Sequence, residues 1–434
     1  MRAHRIGVVG AGYVGLTTAA CLARLGHTAV CADIDESKVE RLNRAEVSSY
    51  EPGLAEIVTE GLQAGRLRFV LGARAATADA DIVFVCVPTP VGANGSADLS
   101  QIYGVLHEVR DALSSGTVVV IKSTVPPGTT DDVGRLLDRS DLDVVTNPEF
   151  LREGHTVEDF LSPHRVVVGA GDAAAARRVA GLYAPLGAPV VLTDPVSAEL
   201  VKYASNCFLA MKLSYVNTLA ELCECTGGDV DAVTAGMRHD PRIGAEFLRP
   251  GPGWGGSCLP KDTQALLRAA ESVAVDFPLL RATIDTNEAQ PGRVLRAVRT
   301  AVACSPERPV DGVRLGLLGL TFKAGTDDLR DSPALAVADL LAADGAELTG
   351  HDPGVPAGTQ AAGPVRVVDD AYLAAKDASA LVVLTEWPQF GELDWARLGE
   401  QMRHRVVVDT RNHLPPEPLR RAGFRTYGTG RSAG

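Results

Sequence analysis

The 434-residue chain reads as an α/β protein in three parts. These are an N-terminal Rossmann-type doubly wound parallel sheet, a central long-helix domain and a C-terminal Rossmann-like α/β domain. Three observations predict this. Short, continuous apolar runs alternate with amphipathic or alanine-rich stretches through the first half. A glycine-rich turn follows the first of those runs. Residues 197–226 then form one long stretch without proline or glycine.

RIGVVG, TAVCADID, DIVFVCVP, TVVVIKS, DVVTNPE, RVVVG and PVVLTD are the expected strands of residues 1–195. Their runs are continuous rather than alternating, as in a parallel sheet covered on both faces. Asp194 and Pro195 make an N-cap and first-turn pair for the long helix, about 45 Å at about 1.5 Å per residue. This helix is the expected spine of a central part, residues 196–303, and a subunit contact. ACSPERPVDG looks like a linker. VRLGLLGL then restarts a strand, and ALAVADLLAADGAELTGHDP repeats the theme of TAACLARLGHTAVCADID: helix, glycine turn, strand, acidic end. Residues 312–434 are therefore expected to be a second Rossmann-like unit. GLTFKAG lacks the GxGxxG spacing, so a nucleotide other than a dinucleotide is expected there.

Composition narrows the function. A net charge of -12 with 46% hydrophobic residues describes a soluble globular chain and argues against a nucleic-acid surface. An anionic substrate would need local basic residues. Met1 to Arg5 leads straight into an apolar run, so no signal peptide is expected, and no run approaches the roughly 18 residues of a membrane span. The eight cysteines show no CxxC pair. Neither a disulfide framework nor a metal site is expected, and a reducing cytoplasm fits best.

Gly10, Gly12 and Gly15, with Tyr13 and Val14 between them, follow the first strand and open a helix; Asp33 ends the second strand. The glycines admit a pyrophosphate at the helix N-terminus, and Asp33 would accept from the adenosine ribose, favouring NAD over NADP. CVPTP and STVPPGT end two later strands. Thr89, Ser123 and Thr124 there suit either the nicotinamide half or an ordered water, or else simple turn chemistry. Lys202 and Asn206 share one helix face as a donor pair for an alkoxide or oxyanion. In GPGWGGSCLPKD, Cys258 lies among Gly255, Gly256 and Ser257, which suggests an exposed loop where a thiol can meet a ligand. An NAD enzyme has a use for such a thiol: it captures an aldehyde as a thiohemiacetal, and a second hydride loss gives a thioester that water opens to the acid. Lys261, or a helix beginning after Leu259, would lower the thiol pKa, and Asp262 would orient or deprotonate water.

GxGYVGL, CVPTP, STVPPGT, NPEFLREG, the KxxxN helix, DPRIG, GGSCLPKD and GLTFKxxTDDLRxSP occur in this order from residue 5 to about 415. In this the chain resembles the UDP-glucose 6-dehydrogenases of the UDP-glucose/GDP-mannose dehydrogenase family. The resemblance implies oxidation of UDP-glucose to UDP-glucuronate with two NAD+ and water. Cys258 would be the nucleophile. Lys202 and Asn206 would stabilise oxyanions, Asp262 would act as base or lysine partner, and Thr124 and Glu149 would position the water. Phe150, Leu151 and Arg152 would line the substrate site. Glu153, Lys38, Lys261 and Arg330 would lie against the cofactor. Phe247, Arg249, Gly253, Trp254 and Gly255 would wrap the sugar diphosphate, with Phe322, Lys323 and Arg411 reaching it from the C-terminal part. Arg242 would cross from a neighbouring subunit, which requires at least a homodimer.

Trp254 stands where the family more often has Phe or Tyr. His155 and the YxxxK of Tyr372 and Lys376 receive no catalytic role, and Cys223 and Cys225 are treated as packing residues. Three rival readings remain: the same chemistry on another nucleotide-hexose (dTDP-glucose, GDP-mannose or a UDP-N-acetylhexosamine), a two-electron β-hydroxyacid dehydrogenase, and a non-enzymatic sensor. The last two have no need of Cys258.

Overall fold

The structure, a computed structural model, describes residues 3–47, 51–92, 95–303 and 305–431. Cys304 of the expected linker lies outside them. The chain forms two compact units, Met1–Ser205 with Gln264–Val275 and Asn206–Thr263 with Asp276–Gly434.

The first unit is built on eight strands: β1 (Arg5–Val9), β2 (Thr28–Asp33), β3 (Leu67–Leu71), β4 (Ile82–Val85), β5 (Val118–Ile121), β6 (Asp143–Thr146), β7 (Val166–Ala170) and β8 (Val190–Thr193). Their order is β3-β2-β1-β4-β5-β6-β7-β8. The continuous apolar runs have the expected cause. Val8, Phe84 and Val120 enter one core and Val9, Val85 and Ile121 the other, so each strand is apolar on both faces.

Three features differ from expectation. β3 was not anticipated, because Arg68 interrupts its apolar run; Leu67 and Phe69 are buried while Arg68 faces out, the alternation of an edge strand. β7 runs antiparallel to β6 and overlaps it at only two positions, Val145↔Ala170 and Thr146↔Gly169. The sheet is therefore not wholly parallel. A parallel return needs a long crossover. Here the only helix between the strands is Thr156–Leu161, and the chain re-enters beside the carboxyl end of β6. Lastly, β8 is not covered on both faces: Val190, Val191 and Leu192 are each more than 40% exposed.

The long helix runs Pro195–Thr226, and Asp194 Oδ1 accepts from Ser197 N at 2.8 Å, the expected cap. It carries Lys202 in the first unit and Asn206 in the second. The second unit adds the helices Val230–Arg238 and Pro278–Ala303; a further helix, Leu259–Ser272, begins directly after Cys258. Its sheet comprises β9 (Arg314–Leu318), β10 (Glu347–His351), β11 (Arg366–Val367), β12 (Ala380–Val383), β13 (Val406–Asp409) and β14 (Arg425–Gly428). The order β11-β10-β9-β12-β13-β14 is all parallel and repeats that of β3 to β6. The internal repeat read from the sequence is thus a repeat of topology. Among the described residues no helix is long and apolar enough to cross a membrane.

Candidate active site

At the carboxyl ends of β1 and β4 the strand order reverses, which is where open α/β sheets bind ligands. Gly10 has φ +98°, and a Cβ there would lie 2.8 Å from the Cys86 carbonyl oxygen. Only glycine fits that turn. Gly12 differs: a Cβ would meet no protein atom within 4 Å. Packing does not require glycine there, and the space opens over the N-terminus of the helix Tyr13–Arg24, where a pyrophosphate would be stabilised. A cavity of about 200 Å3 adjoins it, lined by Gly12, Tyr13, Lys38 and Arg41 among others.

Asp33 stands beside this cradle. Its Oδ2 accepts from Ala11 N at 3.1 Å and Lys38 Nζ at 3.0 Å, and its Oδ1 from Ile34 N and Asp35 N. Partial burial pushes the carboxyl up, but these donors outweigh it and hold it below the usual range. Lys38 therefore bonds to Asp33 as well as lining the cavity. These residues fit a dinucleotide.

On the same side of the sheet, hydroxyls stitch the loops after β4 and β5. Thr89 Oγ1 donates to the Thr124 carbonyl at 2.9 Å and Ser123 Oγ to the Val87 carbonyl at 2.7 Å. Both hydroxyls thus perform the turn chemistry that was the plainer reading. Glu149 follows β6 and pairs with Lys202 Nζ at 2.7 Å, each side chain 5% exposed. Glu149 Oε2 accepts from Leu151 N at 2.6 Å. Burial pushes this carboxyl up, and the Lys202 ammonium, the Leu151 N–H and Lys122 bring it below its ordinary value. Phe150 lies between two cations, with the Arg165 guanidinium 3.5 Å and Lys202 Nζ 5.6 Å from its ring centre. Arg152 is held by a two-pronged pair with Asp159, and His155 by Glu158. Glu153 is half-buried in the same loop.

In the second unit Cys258 is partly exposed and ends at the first turn of the helix Leu259–Ser272. Its carbonyl accepts from Asp262 N at 2.9 Å. Asp262 is fully buried, with Oδ1 on Lys261 Nζ and Oδ2 taking Asn206 Nδ2 at 2.6 Å. Asp262, one turn after the thiol in sequence, thus joins ammonium and amide. The preceding loop is not the exposed one expected. Gly255 and Gly256 are buried, and a Cβ would sit 1.9 Å from the Asp331 carbonyl oxygen at the first and 2.6 Å from the Phe322 ring at the second. Close packing, rather than ligand approach, accounts for these two glycines. Trp254 is buried as well, and its indole N–H donates to Ser214 Oγ at 2.9 Å.

Other expected substrate residues are placed as follows. Arg411 Nε lies 3.1 Å from Glu386 Oε2, and its Nη2 reaches the Phe322 carbonyl. Lys323 Nζ is 5.6 Å from the Phe322 ring centre. Phe247 takes a positive φ of 60°, Gly253 adjoins Asn287, and Arg249 is exposed. Arg330 pairs with Asp328, and Arg242, 88% exposed, with Asp240. Asp352, the counterpart of Asp33 in the repeat, is 1% exposed and accepts from Leu320 N, Thr321 N and Trp387 Nε1. Buried and bonded in this way, that acid is not open to a ribose.

Sequence reasoning missed several supports. Glu51 accepts from Gly154 N, Thr156 N and Thr156 Oγ1, fixing the loop after Glu153. Glu199, one turn before Lys202, accepts from Gly128 N, Thr130 N and Thr130 Oγ1 and so ties the long helix to the STVPPGT loop. Asn287 bonds both backbone groups of Trp254. Lys122 is buried beside Glu149. An acid in YEPG was the only visible hint of the first.

Models of the UDP-glucose/GDP-mannose dehydrogenase family match residues 4–187 as its NAD binding domain, 196–289 as its central domain and 316–416 as its UDP binding domain. A UDP-glucose 6-dehydrogenase of Rhizobium meliloti is 41% identical, over 98% of this chain and 99% of the relative. One from Pseudomonas aeruginosa is 40% identical over 98% and 97%. The solved UDP-glucose dehydrogenase of Pyrobaculum islandicum superposes with a TM-score of 0.88 at 37% identity, covering 99% of this chain and 98% of that one. A UDP-D-ManNAc dehydrogenase from Pyrococcus horikoshii gives 0.87 at 29%, covering 98% and 99%.

Proposed function

Because the chain belongs to the UDP-glucose/GDP-mannose dehydrogenase family, we propose that it oxidises UDP-glucose to UDP-glucuronate, passing two hydrides to two NAD+. The observation that carries this reading is Cys258 at a helix start, on a turn whose Asp262 holds Asn206. A single alcohol oxidation needs no nucleophile. A four-electron oxidation has a use for one, because covalent capture retains the intermediate aldehyde.

NAD+ would serve as hydride acceptor, held by Gly10, Gly12, Tyr13, Val14, Gly15, Asp33 and Lys38, with Thr89 and Thr124 suited to the nicotinamide half and Glu153, Lys261 and Arg330 also against the cofactor. The Cys258 thiolate adds to the aldehyde carbon, giving a hemithioacetal alkoxide that Lys202 and Asn206 stabilise. Loss of the second hydride leaves a thioester. Glu149 and Thr124 place a water on it, the water's proton passes to a carboxylate, and the thiol departs with the acid formed. Arg249, Lys323 and Arg411 supply the cations that an acidic chain needs for a diphosphate.

Residues 1–195, 196–303 and 312–434 are taken as cofactor, central and nucleotide-sugar domains. A homodimer is part of this reading. Phe208, Tyr215 and Leu222 recur every seven residues on the long helix and are 57%, 54% and 57% exposed, a stripe suited to a second helix. The exposed Arg242 is available to a partner's site. A reducing cytoplasm suits chemistry that runs through a free thiol.

The test is product analysis with UDP-glucose and NAD+, where UDP-glucuronate is expected. Turnover of GDP-mannose or a UDP-N-acetylhexosamine instead would move the substrate and leave the chemistry. For the cofactor, Asp33→Ala is expected to weaken NAD+ binding about 10- to 100-fold, the loss of hydrogen bonds to a charged acceptor. Fluorescence titration showing unchanged affinity would remove Asp33 from the site.

A further inference from the structure

We infer that Lys122 makes the buried Glu149–Lys202 cluster cationic, acting as a positioning residue that keeps Glu149 ionised while Lys202 meets an oxyanion. This rests on the roles given above to Glu149 and Lys202.

Lys122 directly follows β5 and is 4% exposed. Its Nζ donates to Asn147 Oδ1 at 3.2 Å, an acceptor shared with Tyr183 OH at 2.6 Å. Asn147 is itself fixed by donating to the Val167 carbonyl at 2.8 Å. Among the described residues Lys122 forms no ion pair. A cavity of about 40 Å3, lined by Lys122, Asn147, Glu149, Arg165 and Tyr183 among others, joins it to Glu149 and has room for water.

Packing alone does not call for an ammonium here, since burying one costs free energy that Met or Leu would avoid. The charge itself supplies a reason. Glu149 and Lys202 cancel, so the pair alone offers little attraction to a developing oxyanion. The one further carboxylate lining the cavity, Asp159, is matched by its two-pronged pair with Arg152, while burial pushes the Cys86 thiol up to about 12 and the Tyr183 phenol higher still, so both stay neutral. Lys122 therefore leaves the cluster with a net positive charge, before Arg165 is counted. When Lys202 faces an alkoxide or shares its proton, Lys122 remains as the cation that keeps Glu149 a carboxylate. Burial pushes the Lys122 ammonium down to about 8, against the opposing pull of the Glu149 carboxylate, so the added charge is present at neutral pH and fades above it.

The experiment is the pH dependence of kcat for full-length wild type, Lys122→Met and Lys122→Arg with UDP-glucose and NAD+. Lys122→Met is expected to lower kcat at least tenfold at neutral pH with KM within about twofold. Its acid limb should move up by about one pH unit, because Glu149 loses a charge that lowers its pKa. The alkaline limb near 8 should disappear, and Lys122→Arg should recover most of kcat. A Lys122→Met enzyme with wild-type kcat and an unmoved acid limb would overturn the inference. So would a loss that Arg does not rescue and that comes with a lower melting temperature, the mark of a structural role. Titration of Glu149 by carbon NMR without substrate asks the same question independently of turnover: its pKa should rise in Lys122→Met, and an unchanged value contradicts the inference. Failure of wild type to form uronate, with that NMR shift present, would instead strike the functional reading.

Discussion

Cys258→Ala forms no UDP-glucuronate, yet binds NAD+ with an affinity within about twofold of wild type. The reason is a separation of parts. The cradle at Gly10, Gly12 and Asp33 belongs to the first compact unit, and the thiol to the second, so removing one sulfur leaves every bond of the cradle unchanged. Without a nucleophile the aldehyde has no covalent anchor, and a loss of roughly a thousandfold or more in acid formation is expected for removal of a covalent route. Cys258→Ser should be as poor in acid formation but accumulate a covalent or aldehyde-level species, because an ester opens more slowly than a thioester. Intact-protein mass spectrometry checks this. Acid formation at wild-type rate by the Ala variant would remove the thioester route altogether.

The second large effect is at Lys202. Lys202→Met leaves Glu149 5% exposed without its ammonium at 2.7 Å. Breaking one side of a buried pair costs about 3–5 kcal/mol. Loss of an oxyanion donor costs a further factor of about a hundred to a thousand in kcat. The two losses separate by pH. In wild type the Glu149 carboxyl lies below its unfolded value, so its contribution to stability is present above the unfolded pKa and lost as pH falls through the folded one. In Lys202→Met only Lys122 and the Leu151 N–H still oppose burial, so the depression of the Glu149 carboxyl shrinks, and with it the stability it contributes above its unfolded pKa. The gap in melting temperature between wild type and variant should therefore be widest at neutral pH and narrow as pH falls through the carboxylate range. Adding Glu149→Gln should restore the melting temperature but not activity. A Lys202→Met enzyme as stable as wild type across that range would mean the pair contributes no stability.

The parts that were legible in the sequence are those where one residue pattern has one physical cause. Val8 and Val9 enter opposite cores, so β1 had to be an unbroken apolar run. Asp194 before Pro195 could only cap the helix that follows. The repeat of TAACLARLGHTAVCADID in the C-terminal part reflected a repeated strand order. Other features were hidden because one pattern has two causes. Glycines at 255 and 256 read equally as room for a ligand or as close backbone packing, and the packing against Asp331 and Phe322 became visible only in three dimensions. The direction of β7 is not written in RVVVG, since an apolar strand pairs either way; the short helix before it decides. Glu51 finds its partners at Gly154 and Thr156, a hundred positions on, and Lys122 reads as the polar end of a strand until its burial is known. Of the candidate site, the sequence supplied the chemistry of Cys258, Lys202, Asn206 and Asp262. The structure added which carboxylate holds which base: Glu149 on Lys202, Asp262 on Asn206 and Lys261.

The most direct test of the central claim is the amount of NADH formed per UDP-glucose consumed, run to completion with the sugar nucleotide limiting. Two NADH per sugar, with UDP-glucuronate as the product, is the predicted result. One NADH per sugar, with an aldehyde or ketone accumulating, would contradict it and leave Cys258 without its assigned chemistry.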